Sequence, residues 1–274
     1  MRRLILAFSL VFLLATVCTI ATADVVPGAL LYLDAADNPD YPDAWTNLGE
    51  AGGELSSGGN EPEEDNGTIK IDALGINEDA QFYTFNESGQ GFGADGDEVV
   101  LNVSDWTIEF LLRRNGAALG PEHHIAGFQN IPHEGAQGIR LNLWEGPDDM
   151  TFSIHAGGGK AGVQPLKVLL EQDVWNWVAL VHTNEDSLVA YQNGEEVSKQ
   201  AGWEFKKGTP LDMVIIGANS YGERPRTFNG SIAIVRVYDK ALTEDEVNKN
   251  IAETFAVEPA DKLATTWGTV KRGY

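Results

Sequence analysis

The sequence has a single cysteine, Cys18, and it has few basic residues, with 19 Lys and Arg against 41 Asp and Glu and a net charge of −22 over 274 residues. Without thiols beyond position 18 there are no disulfides, no thiolate zinc site and no cysteine nucleophile. The shortage of cations leaves no basic surface that would neutralise phosphates, so nucleic acid and anionic membranes are poor partners and no nucleic acid is expected. Long apolar runs are also missing after position 20. The one such run, Leu4 to Ile20, follows Arg2 and Arg3 and precedes Ala21-Thr22-Ala23, the order of parts in a secretory signal peptide. Residues 1–23 are therefore read as a cleaved leader and the chain as secreted, periplasmic or cell-surface, with no membrane span after cleavage. Val17 precedes Cys18 where lipidation needs a small residue. Cleavage removes the only cysteine and two cations, so the exported chain depends on core packing for its stability, which 43% hydrophobic residues can supply.

Catalytic signatures are scarce as well. No Gly-x-Ser-x-Gly elbow occurs, and the Gly157-Gly-Gly-Lys160 run lacks phosphate-loop spacing and reads as a turn. His123, His124, His133, His155 and His182 match no helical zinc spacing and read as structural or surface residues. Four Asn-x-Ser/Thr sequons, at Asn66, Asn86, Asn102 and Asn229, are glycan acceptors only in a host that glycosylates its exports.

What is present is a succession of short β-type runs from Gly28 to Tyr238, divided by Gly, Asn, Asp and Pro. In Trp106 to Arg113, the residues Trp106, Ile108, Phe110 and Leu112 share one face, while Thr107, Glu109 and Arg113 point the other way, which predicts a strand with one buried side. About a dozen such runs, with no helical pattern between them, predict an all-β antiparallel two-sheet sandwich. Leu188 to Val197 reads as a hairpin turning at Asn193-Gly194. The stretch from Leu55 to Asn66 has no large apolar residue inside it and is read as a solvated loop. One short helix is expected after Leu242, where Thr243 and Glu246 form a capping box and Val247, Ile251 and Phe255 repeat on one face. Residues 24–257 thus form one domain, with 258–274 as a tail.

Several segments, taken in order, carry a resemblance. Ala29–Asp34 (ALLYLD) and Trp45–Gly49 (WTNLG) resemble an opening strand and its "W-x-D-L-S/G" sequel. Trp106–Arg114 (WTIEFLLRR) is similar to "f-T-I-E-a-W-v". Trp175–Val181 (WNWVALV) with Leu188–Gly194 (LVAYQNG) resembles "W-h-h-V-A-v…l-Y-v-N-G". Asn229–Asp239 (NGSIAIVRVYD) with Ala241–Glu246 (ALTEDE) resembles "G-x-I-D-E-V-R-I-Y-n-r-A-L-s-x-x-E". These are patterns of the concanavalin A-like lectin/glucanase superfamily, and within it of laminin G-like jelly-roll domains. The resemblance implies a jelly roll with adjacent first and last strands. It implies no obligatory cofactor. In related glucanases an Asp of the last-strand motif helps hold a structural calcium, and here that position is Ala233, so the oxygens for calcium would have to come from Asp34, Asp37, Asp95 and Asp97. The glucanase Glu-x-Asp-x-Glu strand, which supplies paired carboxyls for glycoside hydrolysis, is absent.

By the same resemblance, sugar would be bound by rim aromatics and polar side chains. Trp144, Trp203 and Tyr221, together with Arg224 and Arg226, are the candidates, whereas Trp106, Trp175 and Trp177 lie in apolar runs and belong to the core. The expected function is that of a secreted, non-catalytic, lectin-like module recognising extracellular glycan or a protein surface. The alternatives are a glycan-active hydrolase or lyase with a different acid/base pair, and a structural or adhesive envelope protein.

Overall fold

The computed structural model describes residues 26–57, 60–72, 74–95, 99–103, 105–117, 119, 123–129, 138–145, 150–157, 163–183, 187–201, 209–218 and 227–255. The leader and the tail lie outside the described residues. In chain order the strands are β1 (Ala29–Asp34), β2 (Ala44–Thr46), β3 (Glu54–Ser57), β4 (Glu63–Ile71), β5 (Gly75–Phe85), β6 (Phe92–Asp95), β7 (Leu101–Val103), β8 (Trp106–Arg114) and β9 (His123–Gln129). They continue as β10 (Gly138–Glu145), β11 (Met150–Gly157), β12 (Val163–Leu169), β13 (Trp175–Thr183), β14 (Ser187–Gln192), β15 (Glu195–Ala201), β16 (Thr209–Leu211), β17 (Met213–Ile216) and β18 (Gly230–Tyr238), before the helix α1 (Glu244–Thr254).

Two antiparallel sheets form the sandwich. The first runs β15-β14-β13-β8-β18-β5-β4, and the second runs β12-β11-β10-β9-β17-β6-β3-β2. The expected meeting of first and last strands is present, since β1 pairs with β18. Here the first sheet forks: Gly230 to Ile232 of β18 pair with β5, whereas Ile234 to Tyr238 pair with β1, and the division falls at Ala233. Between the sheets lies the main core, with Ile108, Phe110, Leu180 and Val235 from one layer against Phe92, Phe128, Leu141 and Val214 from the other. The expected hairpin joins β14 and β15, and Asn193 and Gly194 at its turn have φ of 54° and 88°.

Two expectations are corrected. The stretch at 55–66 is not one loop: Glu54–Ser57 pairs with β2 and β6, and Glu63–Ile71 is the acidic edge strand of the first sheet. Its exposed carboxylates suit an edge, where charge discourages pairing with other chains. Strand β8 is not buried on one side only, for Thr107 and Glu109 are as fully buried as Phe110. Helix α1 is the cause. Its face of Val247, Ile251 and Phe255 joins Leu111, Trp177 and Ile234 in a second apolar cluster on the outer side of the first sheet. The helix starts as expected, with the Thr243 side chain accepting from the Glu246 N–H and Glu246 accepting from the Thr243 N–H.

Candidate functional site

Under the helix, a set of polar side chains is locked into the first sheet. The Asn250 amide donates to Glu109 Oε2 at 2.7 Å and to the Tyr238 hydroxyl at 3.0 Å, and its oxygen accepts the Val26 N–H at 2.8 Å. Arg236, opposite Glu109 in the strand register, lies over the rings of Tyr32 and Trp177 at 4.7 Å and 5.3 Å. Burial pushes the Glu109 carboxyl up from 4.5 to about 7, against the opposing pull of the Arg236 charge and of the hydrogen bond from Asn250. A carboxyl tuned in this way suits acid/base catalysis. Glu109, however, is fully buried under the helix and bonded to Asn250, so its arrangement is that of a structural hub.

The outer face of the second sheet is built differently. Along β10, Ile139, Leu141 and Leu143 enter the inter-sheet core, which leaves Gly138, Arg140 and Asn142 on the opposite face. Register sets Gln129 beside Gly138, Gly127 beside Arg140 and His124 beside Asn142 on one flank. On the other flank it sets His155 beside Arg140, Ser153 beside Asn142 and Thr151 beside Trp144. The described side chains of the face, Gln129, His124, Arg140 and Asn142, are polar, and glycine floors it in part. The close approach explains the glycines: a Cβ at Gly138 would come within 2.7 Å of both the Gln129 Cγ and the Phe128 carbonyl oxygen, and one at Gly127 within 3.1 Å of the Gln129 amide nitrogen. Gln129 is 1% exposed, yet neither its amide nitrogen nor its amide oxygen has a hydrogen-bond partner. An amide buried without partners costs about 1–3 kcal/mol.

Of the ligand candidates read from sequence, Trp144 lies on β10 opposite Thr151, and its side chain is outside the described residues. Trp203, Tyr221, Arg224 and Arg226 lie outside the described residues. Trp106, Trp175 and Trp177 are in the core as expected. Gln129, Gly127 and Gly138 were missed, and the glycines flanking and punctuating two otherwise apolar runs were the one available signal.

Of the calcium candidates, Asp34 ends β1 and Asp37 lies in the turn after it. Asp34 accepts the Tyr32 hydroxyl at 3.1 Å and the Ala36 N–H at 3.0 Å, and burial raises its pKa. No three Asp, Glu, His or Cys side chains gather as a metal cage among the described residues. The Asp95 side chain and Asp97 lie outside them.

A family profile described as the concanavalin A-like lectin/glucanases superfamily matches residues 87–248, more than half of the chain. The chain belongs to this superfamily. No curated protein matches it in sequence. Solved structures share the superfamily chain's architecture at low identity. Domain 4 of AbnA, an extracellular arabinanase from Geobacillus stearothermophilus solved in complex with arabinotriose, is 14% identical with a TM-score of 0.55, over 82% of this chain and 98% of that one. The sialidase of Trypanosoma rangeli is 14% identical with a TM-score of 0.54, over 84% of this chain and 35% of that one. The receptor binding domain of botulinum neurotoxin D is 12% identical with a TM-score of 0.54, over 83% and 52%. At these identities the likeness is one of fold. No helix among the described residues is long and apolar enough to cross a membrane.

Proposed function

We propose that the chain is a secreted, non-catalytic recognition module, in which residues 24–257 bind extracellular carbohydrate or a protein surface through the outer face of the second sheet. The observation that carries this reading is Gln129, a buried amide with free donors and a free acceptor on a floor of glycine. A packed protein gains nothing from such a group, whereas a ligand hydroxyl satisfies both of its ends. Arg140 and Asn142 add polar groups on the same face, and Trp144, further along β10, is an aromatic residue of the type that stacks on sugar rings. The leader at 1–23 supports export, and the arabinotriose complex of the similar arabinanase domain shows that a sandwich of this kind can hold a saccharide.

The test is a glycan array, paired with a cell-surface protein pull-down, on the secreted form of the chain. Binding is expected, and Trp144→Ala and Arg140→Ala are each expected to weaken it by about tenfold, as loss of one stacking or charge-assisted contact does. Melting temperature should stay close to that of the unsubstituted chain. Failure to bind either class of ligand would overturn the reading, as would turnover of a bound polysaccharide.

A further inference from the structure

The fork in the first sheet opens a second cleft, remote in the fold from the face just described. Because β1 takes over the edge of β18 at Ala233, the early part of β5 loses its place along that strand and stands away from it. The small side chains of Ala36, Ala80 and Ala233 leave the resulting space unfilled, a cavity of about 270 Å³ that Arg236, Glu253 and Thr254 close from the core and helix side.

Two charged groups in its walls have unmet hydrogen-bonding capacity. Arg236 is 1% exposed; its Nη2 reaches the Tyr32 hydroxyl at 3.5 Å and Thr254 Oγ1 at 3.3 Å, but Nε and Nη1 have no acceptor. Glu253 pairs with Lys249 at 3.4 Å through Oε1, while its Oε2 is buried without a donor. Both residues line the cleft, so its walls hold donors and an acceptor left unpaired, and Glu109 Oε1, behind Arg236 in the strand register, is unpaired too. An anion suited to Arg236 would meet Asp34 and Glu253, and a cation suited to those carboxylates would meet the guanidinium. A neutral hydroxyl group both accepts and donates, which satisfies both orphans without adding charge. Asn77 and Gln81, on β5 at the cavity wall, bring further amides of the kind that read hydroxyls. The volume falls just under the usual range for small-molecule pockets and suits one sugar ring rather than an oligomer.

From this we propose that the fork cleft is a second binding site, for a single neutral hydroxylated unit of monosaccharide or small-polyol size. It does not depend on the second-sheet reading. The test uses ¹H–¹⁵N NMR titration of the secreted form with D-glucose, L-arabinose and myo-inositol as neutral probes, and D-glucuronate and D-glucosamine as charged controls. At least one neutral probe is expected to shift the amide signals of Ala36, Ala233 and Thr254 with a Kd of about 1–10 mM, typical of a ligand with so few atoms, and the charged controls at least about tenfold more weakly. Ala36→Trp, at an exposed turn position, should block the cleft and erase those shifts, and Gln81→Ala, on the exposed side of β5, should weaken them about threefold to tenfold. Absence of shifts with every neutral probe, equal response to the charged controls, or an unaltered titration in Ala36→Trp would overturn the proposal. Trp144→Ala should leave the fork titration unchanged, so failure at one site is distinguishable from failure at the other.

Discussion

The two sheets turn opposite kinds of outer face to the world, although both rest on the same inter-sheet core. On the first sheet Asn250 bonds Glu109, Tyr238 and the Val26 backbone at once, and α1 covers them with Val247, Ile251 and Phe255. On the second sheet Gln129 is equally buried but bonds to nothing. On the function proposed above, the Asn250 set organises the fold and Gln129 is held for a ligand. In the first case removal of a side chain should cost stability, and in the second it should cost binding.

The largest effect is expected at the hub. Asn250→Ala strips three buried partners of their bond, one of them a carboxylate, and should lower unfolding free energy by about 3–5 kcal/mol in urea titrations. A loss below about 1 kcal/mol would mean that the helix-covered face is not held by this set. The Glu109 carboxyl allows a second probe of the same face. Its pKa of about 7 in the fold lies above the ordinary 4.5, so between these values the folded chain keeps a proton that the unfolded chain has released. Stability must then fall as pH rises through this window, by up to about 1.4 kcal/mol per pH unit from this group. Glu109→Gln, which keeps a neutral polar end, should match the unsubstituted chain near pH 4.5 and exceed its stability by about 3 kcal/mol at pH 8. If it is less stable at pH 8, the ionised carboxylate and Arg236 form a net stabilising pair and the burial argument fails. At the helix start Thr243→Ala should cost about 1 kcal/mol, the usual worth of an N-cap, read from the same denaturant midpoints.

These faces were not equally legible from the residues in order. The capping box at Thr243 and Glu246, the Asn193-Gly194 turn and the alternation in β8 are local patterns, and each appears in the structure where local rules put it. The burial of Glu109 was illegible because it depends on a helix 135 residues further along the chain, and alternation reports which side a residue takes without reporting what covers that side. The acidic edge strand β4 was missed for a related reason: an edge needs few apolar residues, so hydropathy reads it as a loop. On the second sheet, Trp144 drew notice as an aromatic, but its neighbours became apparent only from register. Gly138 and Gln129 are nine positions apart in sequence and directly opposite in the ladder, and nothing in either segment alone announces the pairing.

The smallest effect carries the sharpest contrast. Gln129→Leu keeps approximate volume, removes the orphaned amide and leaves Gly127 and Gly138 untouched, so the substitution should be neutral or should raise unfolding free energy by about 1 kcal/mol. The sign is opposite to that at Asn250. If the outer face of the second sheet exists for a ligand, the same substitution should weaken binding there by about tenfold, since the hydroxyl that met the amide now faces a methyl group. Gain of stability with loss of binding would identify Gln129 as a residue kept at the fold's expense. Loss of stability would mean that the amide already has its partners, and the contrast between the two faces would then disappear.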